Sequence, residues 1–245
     1  MSPEPGRGPI RAIVFDLDNT LTDFMKMKEA AIRGAIDAMI DAGFALPREQ
    51  VRQRVDAIYG ERGLEFQRVF DEVLEREFGE VDPKILAAGI VGYRRARESA
   101  LVLYPHAQLV LLELLKRGIR LGVVSDAPRL QVWMRLCTLG LQHVFDAVVT
   151  FDDTNERKPA AAPFREVLRR LDVEPHEAIM IGDWAERDVV GGKSLGMTTV
   201  FARYGDTFDT VSSGADYDID DLLELMGIVD RLTGAPSGSA KPTEG

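Results

Sequence analysis

Apolar and polar positions follow one another along this chain in a regular order. Short apolar runs, which are typical of buried strands, occupy residues 10–15, 119–124, 146–151, 178–182 and 198–202. Between the later runs, apolar residues recur at helical spacing and predict helices over 106–117, 128–139, 160–171 and 185–194. Alternation of strands and helices predicts a parallel sheet covered on both faces, with right-handed crossovers.

The segment 25–99 interrupts this order, because no strand pattern occurs within it. Helical spacing predicts one helix around 32–40, a second from Pro47, a third around 66–74 and a fourth from Pro83 to about Ala100. A crossover between strands needs far fewer residues, so we expect a cap over the strand ends. The predicted fold is α/β, a Rossmann-like doubly wound parallel sheet with an inserted all-helical cap domain.

The predicted boundaries follow from these patterns. Residues 1–22 and 100–233 form the α/β core, 23–99 form the helical cap, and 234–245, rich in Gly, Pro and Ser, form a disordered tail.

Composition narrows the possible partners. The 245 residues are 45% hydrophobic, enough for a substantial core, and the net charge of −10 argues against a nucleic-acid or anionic-membrane partner. No apolar stretch approaches the ~20 residues of a membrane span, and the first run is too short for a secretory signal.

The single cysteine, Cys137, has apolar neighbours and is predicted to be a buried thiol. We expect a cytoplasmic monomer or homodimer.

Four polar clusters lie at or shortly after the ends of the apolar runs. They are Asp16-Leu17-Asp18-Asn19-Thr20, Ser125-Asp126, Lys158-Pro159, and Gly182-Asp183 with Asp188. In a parallel sheet the carboxyl ends of the strands share one edge, and ligands of open α/β folds bind there. The clusters are therefore predicted to converge on one site, and their order suggests an enzyme that moves phosphate.

The first cluster has the residues for covalent catalysis. A carboxylate at the end of a buried strand, such as Asp16, is costly unless a cation or several donors compensate it. Asp16 could attack phosphorus to form an aspartyl-phosphate, while Asp18 protonates the leaving oxygen and later deprotonates water. The alternative is a turn in which Asp18 or Asn19 caps the next helix.

The other acidic residues suggest a metal. Two unit charges at about 4 Å interact by roughly 4 kcal/mol at an effective dielectric constant near 20, so a carboxylate attacking a phosphate needs a positive partner. Mg²⁺ prefers such oxygen ligands, with Asp183 the natural second ligand after Asp16 and Asp188 facing the metal or its waters. The alternatives are that Asp183 caps a helix and Asp188 is a solvated charge.

The remaining clusters offer groups for an anion. Ser125 and Asp126 precede a predicted helix, whose amino terminus could bind phosphate, although either residue could instead cap that helix. Lys158 has a compact positive charge at the end of a flexible side chain, so its ammonium group could contact both the nucleophile and the phosphate. The alternative is a solvated surface charge, as most lysines are.

Together these motifs resemble the haloacid dehalogenase-like phosphohydrolase superfamily over roughly residues 10–205. The resemblance implies that Asp16 is the nucleophile and Asp18 the acid/base, and that Ser125 and Lys158 hold phosphate. Thr20 resembles the phosphatase pattern, and we group Thr20 and Asp126 with the phosphate-binding residues. The implied Mg²⁺ ligands are Asp16, the Asp18 carbonyl and Asp183, with Asp188 supporting the metal.

The insert also resembles archaeal-type phosphatases assigned to glyceraldehyde 3-phosphate, including its segment 83–89. The prediction is a Mg²⁺-dependent phosphomonoester hydrolase acting on a small phosphorylated metabolite. The alternatives are a phosphoglycolate or nucleotide phosphatase, a sugar phosphomutase, and a catalytically idle binding module. The dehalogenase members lack the second aspartate, so Asp18 disfavours that branch.

Substrate selection is predicted to depend on the insert and on one bulky residue near the metal. The candidates are Phe24, Lys28, Tyr59, Arg62 and Trp184. For the charged and turn residues the alternative is a solvated helix face, and for Trp184 it is packing against the cap.

Overall fold

The computed structural model of the protein describes residues 9–233, so the predicted tail, 234–245, lies outside the described residues. The chain divides into two compact units. A helical unit comprises Asp23–Val102, and an α/β unit comprises the chain up to Thr22 together with the chain from Leu103 onward. Among the described residues, every helix is too short or too polar to cross a membrane.

Within the described part of the α/β unit, six parallel strands form one sheet in the order β3-β2-β1-β4-β5-β6. Their bounds are β1 Ala12–Phe15, β2 Arg120–Val124, β3 Ala147–Val149, β4 Ala178–Gly182, β5 Thr198–Ala202 and β6 Tyr217–Ile219. This is the doubly wound order, in which the direction of winding reverses between β1 and β4. The predicted fold class is confirmed.

Helices cover both faces of the sheet. Their bounds are α5 Ala107–Lys116, α6 Arg129–Thr138, α7 Phe151–Thr154, α8 Ala161–Leu171, α9 Val190–Leu195 and α10 Glu224–Thr233. Ile13 and Phe15 of β1 pack on the side of α5, α6 and α10, whereas Ala12 and Val14 pack on the side of α8. Burial on both faces explains why the strands are continuous apolar runs in the sequence.

The helical unit has its own core. Its helices are α1 Phe24–Asp41, α2 Arg48–Arg62, α3 Val69–Phe78 and α4 Pro83–Ala100. Asp82 caps α4 by accepting hydrogen bonds from two backbone amides, and Pro83 follows at a position where proline needs no amide hydrogen bond. Fully buried side chains such as Met39, Val55 and Leu74 fill the interior of this unit.

Two predicted elements differ in the structure. The run 146–151 gives a shorter strand, because the hydroxyl of Thr150 and the carboxylate of Asp153 form a capping box that starts α7 at Phe151. The predicted helix 185–194 begins with a π-helical turn, Ala185–Val189, before α9.

Two elements were not predicted, and one side chain was assigned wrongly. Neither β6 nor α10 was expected from the sequence. Cys137 is exposed, so the prediction of a buried thiol is wrong. The inward face of α6 is formed by Val132, Arg135 and Leu136, and Cys137 lies outside it.

Candidate active site

The candidate site lies at the carboxyl ends of the central strands. In the sheet register, Phe15 of β1 pairs with Val123 of β2 and Ile181 of β4. The amide of Asp16 donates a hydrogen bond to the Ile181 carbonyl at 2.8 Å, so Asp16 continues the β1 strand by one residue. Asp16 and the residues after β4 therefore flank the point where the winding of the sheet reverses, which is the usual ligand site of such folds.

Lys158 is the positive centre of the site. Only 5% of the residue is exposed, and its Nζ donates to Asp16 Oδ1 at 2.5 Å and to Asp188 Oδ1 at 2.6 Å. Burial opposes the charge on the ammonium group, but attraction from Asp16 and Asp188 outweighs it and raises the pKa of Lys158. The ammonium group is therefore charged and is not a solvated surface group.

Three buried carboxylates surround this lysine. One oxygen each from Asp16, Asp183 and Asp188 lie within 4.8 Å of one another. Burial, followed by repulsion from Asp16 and Asp188, raises the pKa of Asp183, and burial also raises the pKa of Asp188 despite its attraction to Lys158. Three acidic groups facing one ammonium group leave excess negative charge, and their oxygen atoms are the ligands that suit a divalent cation.

A glycine brings Asp188 into this cluster. A Cβ atom at Gly182 would lie 2.2 Å from Asp188 Cγ, so no larger residue fits at the end of β4. The Trp184 amide donates to Asp188 Oδ2 at 3.1 Å. The π-helical turn contains Asp188, and such turns frequently occur at functional sites.

A second glycine allows the loop after β5 to approach the first motif. A Cβ atom at Gly205 would lie 1.7 Å from the carbonyl oxygen of Asn19 and 3.1 Å from Asp183 Cβ. The hydroxyl of Tyr204 donates to the Thr20 carbonyl at 2.8 Å in the same region. The sequence analysis missed both residues, since they lie outside the four clusters.

Thr20 lies between two of the carboxylates. Its Oγ1 is 3.1 Å from Asp183 Oδ1 and 3.3 Å from Asp16 Oδ2, and the residue is fully buried. The hydroxyl thus stabilises the acidic cluster, while its predicted contact with phosphate stays a prediction.

Asp18 pairs with an arginine that the sequence analysis missed. Arg135 Nη1 donates to Asp18 Oδ2 at 2.9 Å, and the arginine side chain is buried. A signal existed in the sequence, because Arg135 occupies a helical position three residues after Val132 and directly before Leu136, both of them core residues.

The loop after β2 is held mainly by polar contacts. Ser125 Oγ accepts from the Ala127 amide at 3.2 Å, whereas the Asp126 carboxylate accepts from the Lys158 amide at 2.9 Å and from Arg187 Nη1 at 2.8 Å. Neither side chain caps α6, whose N-cap residue is Pro128. Asp126 therefore ties the Lys158 loop to the π-helical turn, and Arg187 is a further residue that the sequence analysis missed.

Trp184 packs within the α/β unit. Its ring lies 4.3 Å from the ring of Phe208, and the Arg187 guanidinium group lies 3.6 Å from its ring centre. These contacts hold the side chain that follows Asp183. A role of Trp184 in substrate binding stays a prediction.

The substrate candidates in the helical unit fall into an internal cluster and two outlying positions. Lys28 Nζ donates to the Leu64 carbonyl at 2.7 Å and to the Tyr93 hydroxyl at 3.1 Å, and lies 4.3 Å from the centre of the Tyr59 ring. Burial, above all other causes, raises the pKa of Tyr59. Lys28 and Tyr59 therefore contact each other inside this unit.

The other two candidates differ in exposure. Phe24 is the buried first residue of α1. Arg62, at the end of α2, is exposed and lies 3.6 Å from a Glu72 carboxylate oxygen. A role of Phe24 or Arg62 in substrate binding stays a prediction.

With this geometry in view, the class of the protein is clear from its relatives. The family model of haloacid dehalogenase-like hydrolases matches residues 10–196, and the chain belongs to that family. The predicted superfamily is thereby confirmed.

Individual relatives of known name show which members of the family this chain is similar to. The chain is 34% identical over 226 residues to a glyceraldehyde 3-phosphate phosphatase of Methanocaldococcus jannaschii, covering 91% of this chain and 98% of that one. It is 29% identical over 235 residues to a ribulose-1,5-bisphosphate 5-phosphatase of Halopiger xanaduensis, covering 89% of this chain and 98% of that one. Among solved structures, a HAD phosphatase from Thermococcus onnurineus has a TM-score of 0.67 at 30% identity, covering 90% of this chain and 98% of that one. These relatives support the prediction that the enzyme is a phosphatase.

Proposed function

We propose that this protein is a Mg²⁺-dependent phosphomonoester hydrolase that works through an aspartyl-phosphate on Asp16. The observation that carries the proposal is the buried contact between Lys158 and Asp16, 2.5 Å long, beside two further carboxylates. An ammonium group at this distance orients the Asp16 side chain and offers positive charge beside the attacking oxygen.

The acidic cluster supports a metal in this site. Asp16, Asp183 and Asp188 would hold Mg²⁺, and the Asp18 carbonyl would join them. When bound, Mg²⁺ would offset the repulsion between the Asp16 carboxylate and an anionic phosphate group.

The two steps divide between two carboxyl groups. In the first, a bond forms between an Asp16 oxygen and phosphorus while the bond from phosphorus to the leaving oxygen breaks, and Asp18 gives that oxygen a proton. In the second, water attacks the same phosphorus and passes a proton to Asp18, which frees Asp16 and releases inorganic phosphate. Lys158 offsets negative charge in both steps, and Ser125 and Thr20 offer hydroxyl groups to the phosphoryl oxygens.

The proposed substrate is a small phosphorylated metabolite, with glyceraldehyde 3-phosphate as the first candidate. Relatives with that activity in their names are similar to this chain along nearly its whole length. Because another relative is named for a sugar bisphosphate, the substrate assay must include several metabolite classes.

The experiment measures inorganic phosphate released from p-nitrophenyl phosphate, triose phosphates, phosphoglycolate and nucleotides, with Mg²⁺ and with EDTA. We expect release that requires Mg²⁺, and a phosphoryl adduct on the peptide that contains Asp16 after rapid acid quenching. Conversion of a sugar phosphate into its isomer without phosphate release would instead identify a phosphomutase. A protein that binds these compounds without turning any of them over would support the idle binding module.

A further inference from the structure

Helix α6 carries a buried arginine directed at the first motif. Val132 and Leu136 of this helix belong to the core of the α/β unit, and Arg135 lies between them with 8% of its side chain exposed. Its Nη1 is 2.9 Å from Oδ2 of Asp18, whose side chain is 22% exposed. The two residues are 117 positions apart in the chain, so the contact joins α6 to the loop after β1.

Apolar packing alone does not explain an arginine at this position. Removing a guanidinium group from water is costly, and a complete buried ion pair, both partners together, can often be replaced by apolar residues of similar volume with no loss of stability. A methionine or leucine would continue the apolar face formed by Val132 and Leu136. What arginine adds is a planar group with fixed donors that sets the orientation of a carboxylate.

We propose that Arg135 is a positioning residue that holds the Asp18 carboxyl group in the orientation required for proton transfer to the leaving oxygen. This inference rests on the proposed function. A general acid must lie within about 2.6–3.2 Å of the atom that it protonates, and a displacement of about 1 Å can lower the rate by about 10²-fold. Asp18 is partly exposed in a loop, so an anchor from a core helix defines where its carboxyl group lies.

The test compares two leaving groups. Arg135→Met keeps the volume of the side chain and removes its donors, whereas Arg135→Lys keeps the charge. The substrates are p-nitrophenyl phosphate, whose leaving group needs little protonation, and an alkyl phosphate, glycerol 3-phosphate or the fastest alkyl substrate of the panel. For Arg135→Met we expect kcat to fall by about 10²-fold with the alkyl phosphate and by about tenfold or less with the aryl phosphate, at similar KM. Arg135→Lys should recover part of the loss.

Two further variants separate positioning from stability. Leu136→Ala opens the core beside Arg135 without touching Asp18, and we expect a lower melting temperature with an unchanged ratio of alkyl to aryl activity. Asp18→Asn should give the same dependence on the leaving group as Arg135→Met. The double variant should then be no slower than Asp18→Asn alone, since both changes remove one function.

Two results of these experiments would overturn the inference, and a third would overturn the proposed function on which it rests. Equal losses on both substrates in Arg135→Met, or in Arg135→Lys if the first variant does not fold, would assign Arg135 to the fold alone. Losses that multiply in the double variant would separate Arg135 from Asp18. If the wild-type protein releases phosphate from neither substrate, the proposed function itself fails, and that outcome is visible before any variant is made.

Discussion

Both units of the protein bury a lysine, and the surroundings of the two lysines differ. Lys28 of the helical unit and Lys158 of the α/β unit are each 5% exposed. Lys28 donates to a backbone carbonyl and a tyrosine hydroxyl and lies against two aromatic rings. Lys158 instead contacts two carboxylates, with a third beside them.

The different surroundings suggest a structural role for Lys28 and a chemical role for Lys158. The carbonyl, the hydroxyl and the aromatic rings around Lys28 are groups that stabilise a buried ammonium group inside its own unit. The cluster around Lys158 has more acidic groups than its single ammonium group balances, so protons at low pH, or another cation at higher pH, are needed to offset the remaining charge. The surroundings of Lys158 therefore support the catalytic role that we propose for it.

The largest expected effect is that of Asp16→Asn. The amide has the shape of the carboxylate but is a poor nucleophile, so phosphate release should fall by about 10³-fold or more, equivalent to about 4 kcal/mol in the barrier. The assay is phosphate release from p-nitrophenyl phosphate at saturating Mg²⁺.

The matched control is Asp172→Asn, since the Asp172 side chain is 92% exposed. We expect wild-type activity from it. Undiminished activity in Asp16→Asn would remove the nucleophile from the proposed mechanism.

Lys158→Met should produce the next largest effect. Breaking a buried ion pair by removing one partner typically costs about 3–5 kcal/mol, because the remaining charges are left without compensation. Urea unfolding at neutral pH measures this loss, and kcat should fall with it by about 10²-fold or more.

Lys116→Met is the control, because that side chain is 69% exposed. Its unfolding free energy should stay within about 0.5 kcal/mol of the wild type. If both variants lose stability equally, the Asp16–Lys158 contact does not contribute in the way proposed.

A smaller effect on the free energy of unfolding is expected from changes of pH and of Mg²⁺ concentration. Burial raises the folded-state pKa values of Asp183 and Asp188 above the unfolded value of about 3.9. Between the unfolded and folded pKa values, the folded protein binds more protons than the unfolded one, so stability without metal should fall as pH rises above about 4.

Mg²⁺ should reverse this trend, because it binds the deprotonated carboxylates. Thermal unfolding with Mg²⁺ at about 100 times its Kd should give about 2.7 kcal/mol of stabilisation at pH 8 and much less at pH 5. Asp183→Asn should remove most of the Mg²⁺ effect. An equal Mg²⁺ effect at both pH values would contradict a site built on these carboxylates.

The central strands and the convergence of the clusters could be predicted from the sequence. Buried parallel strands are continuous apolar runs, and polar residues directly after them must meet at one edge of the sheet. Asp16, Asp183 and Asp188 could therefore be grouped without coordinates.

Contacts made by residues outside those runs could not be predicted in the same way. On α6, an apolar neighbourhood suggested that Cys137 is buried, yet the inward position belongs to Arg135, because an ion pair with Asp18 offsets the cost of its burial. The strand β6 is three residues long with Asp218 at its centre, too short for a periodic signal. Such features depend on partners distant in sequence.

The smallest expected effect, and the one that tests the comparison most directly, is that of Lys28→Met. The change leaves the Leu64 carbonyl and the Tyr93 hydroxyl without this donor, so we expect a loss of about 1–3 kcal/mol in unfolding free energy. Since these contacts hold Lys28 within its own unit, the ranking of substrates by kcat/KM should be unchanged. Lys26→Met, two residues earlier and exposed, should change neither quantity. If Lys28 instead contacts the substrate, as the sequence analysis predicted, the variant should change the ranking of substrates and leave the unfolding free energy nearly unchanged. That result would mean that this buried lysine also binds the ligand.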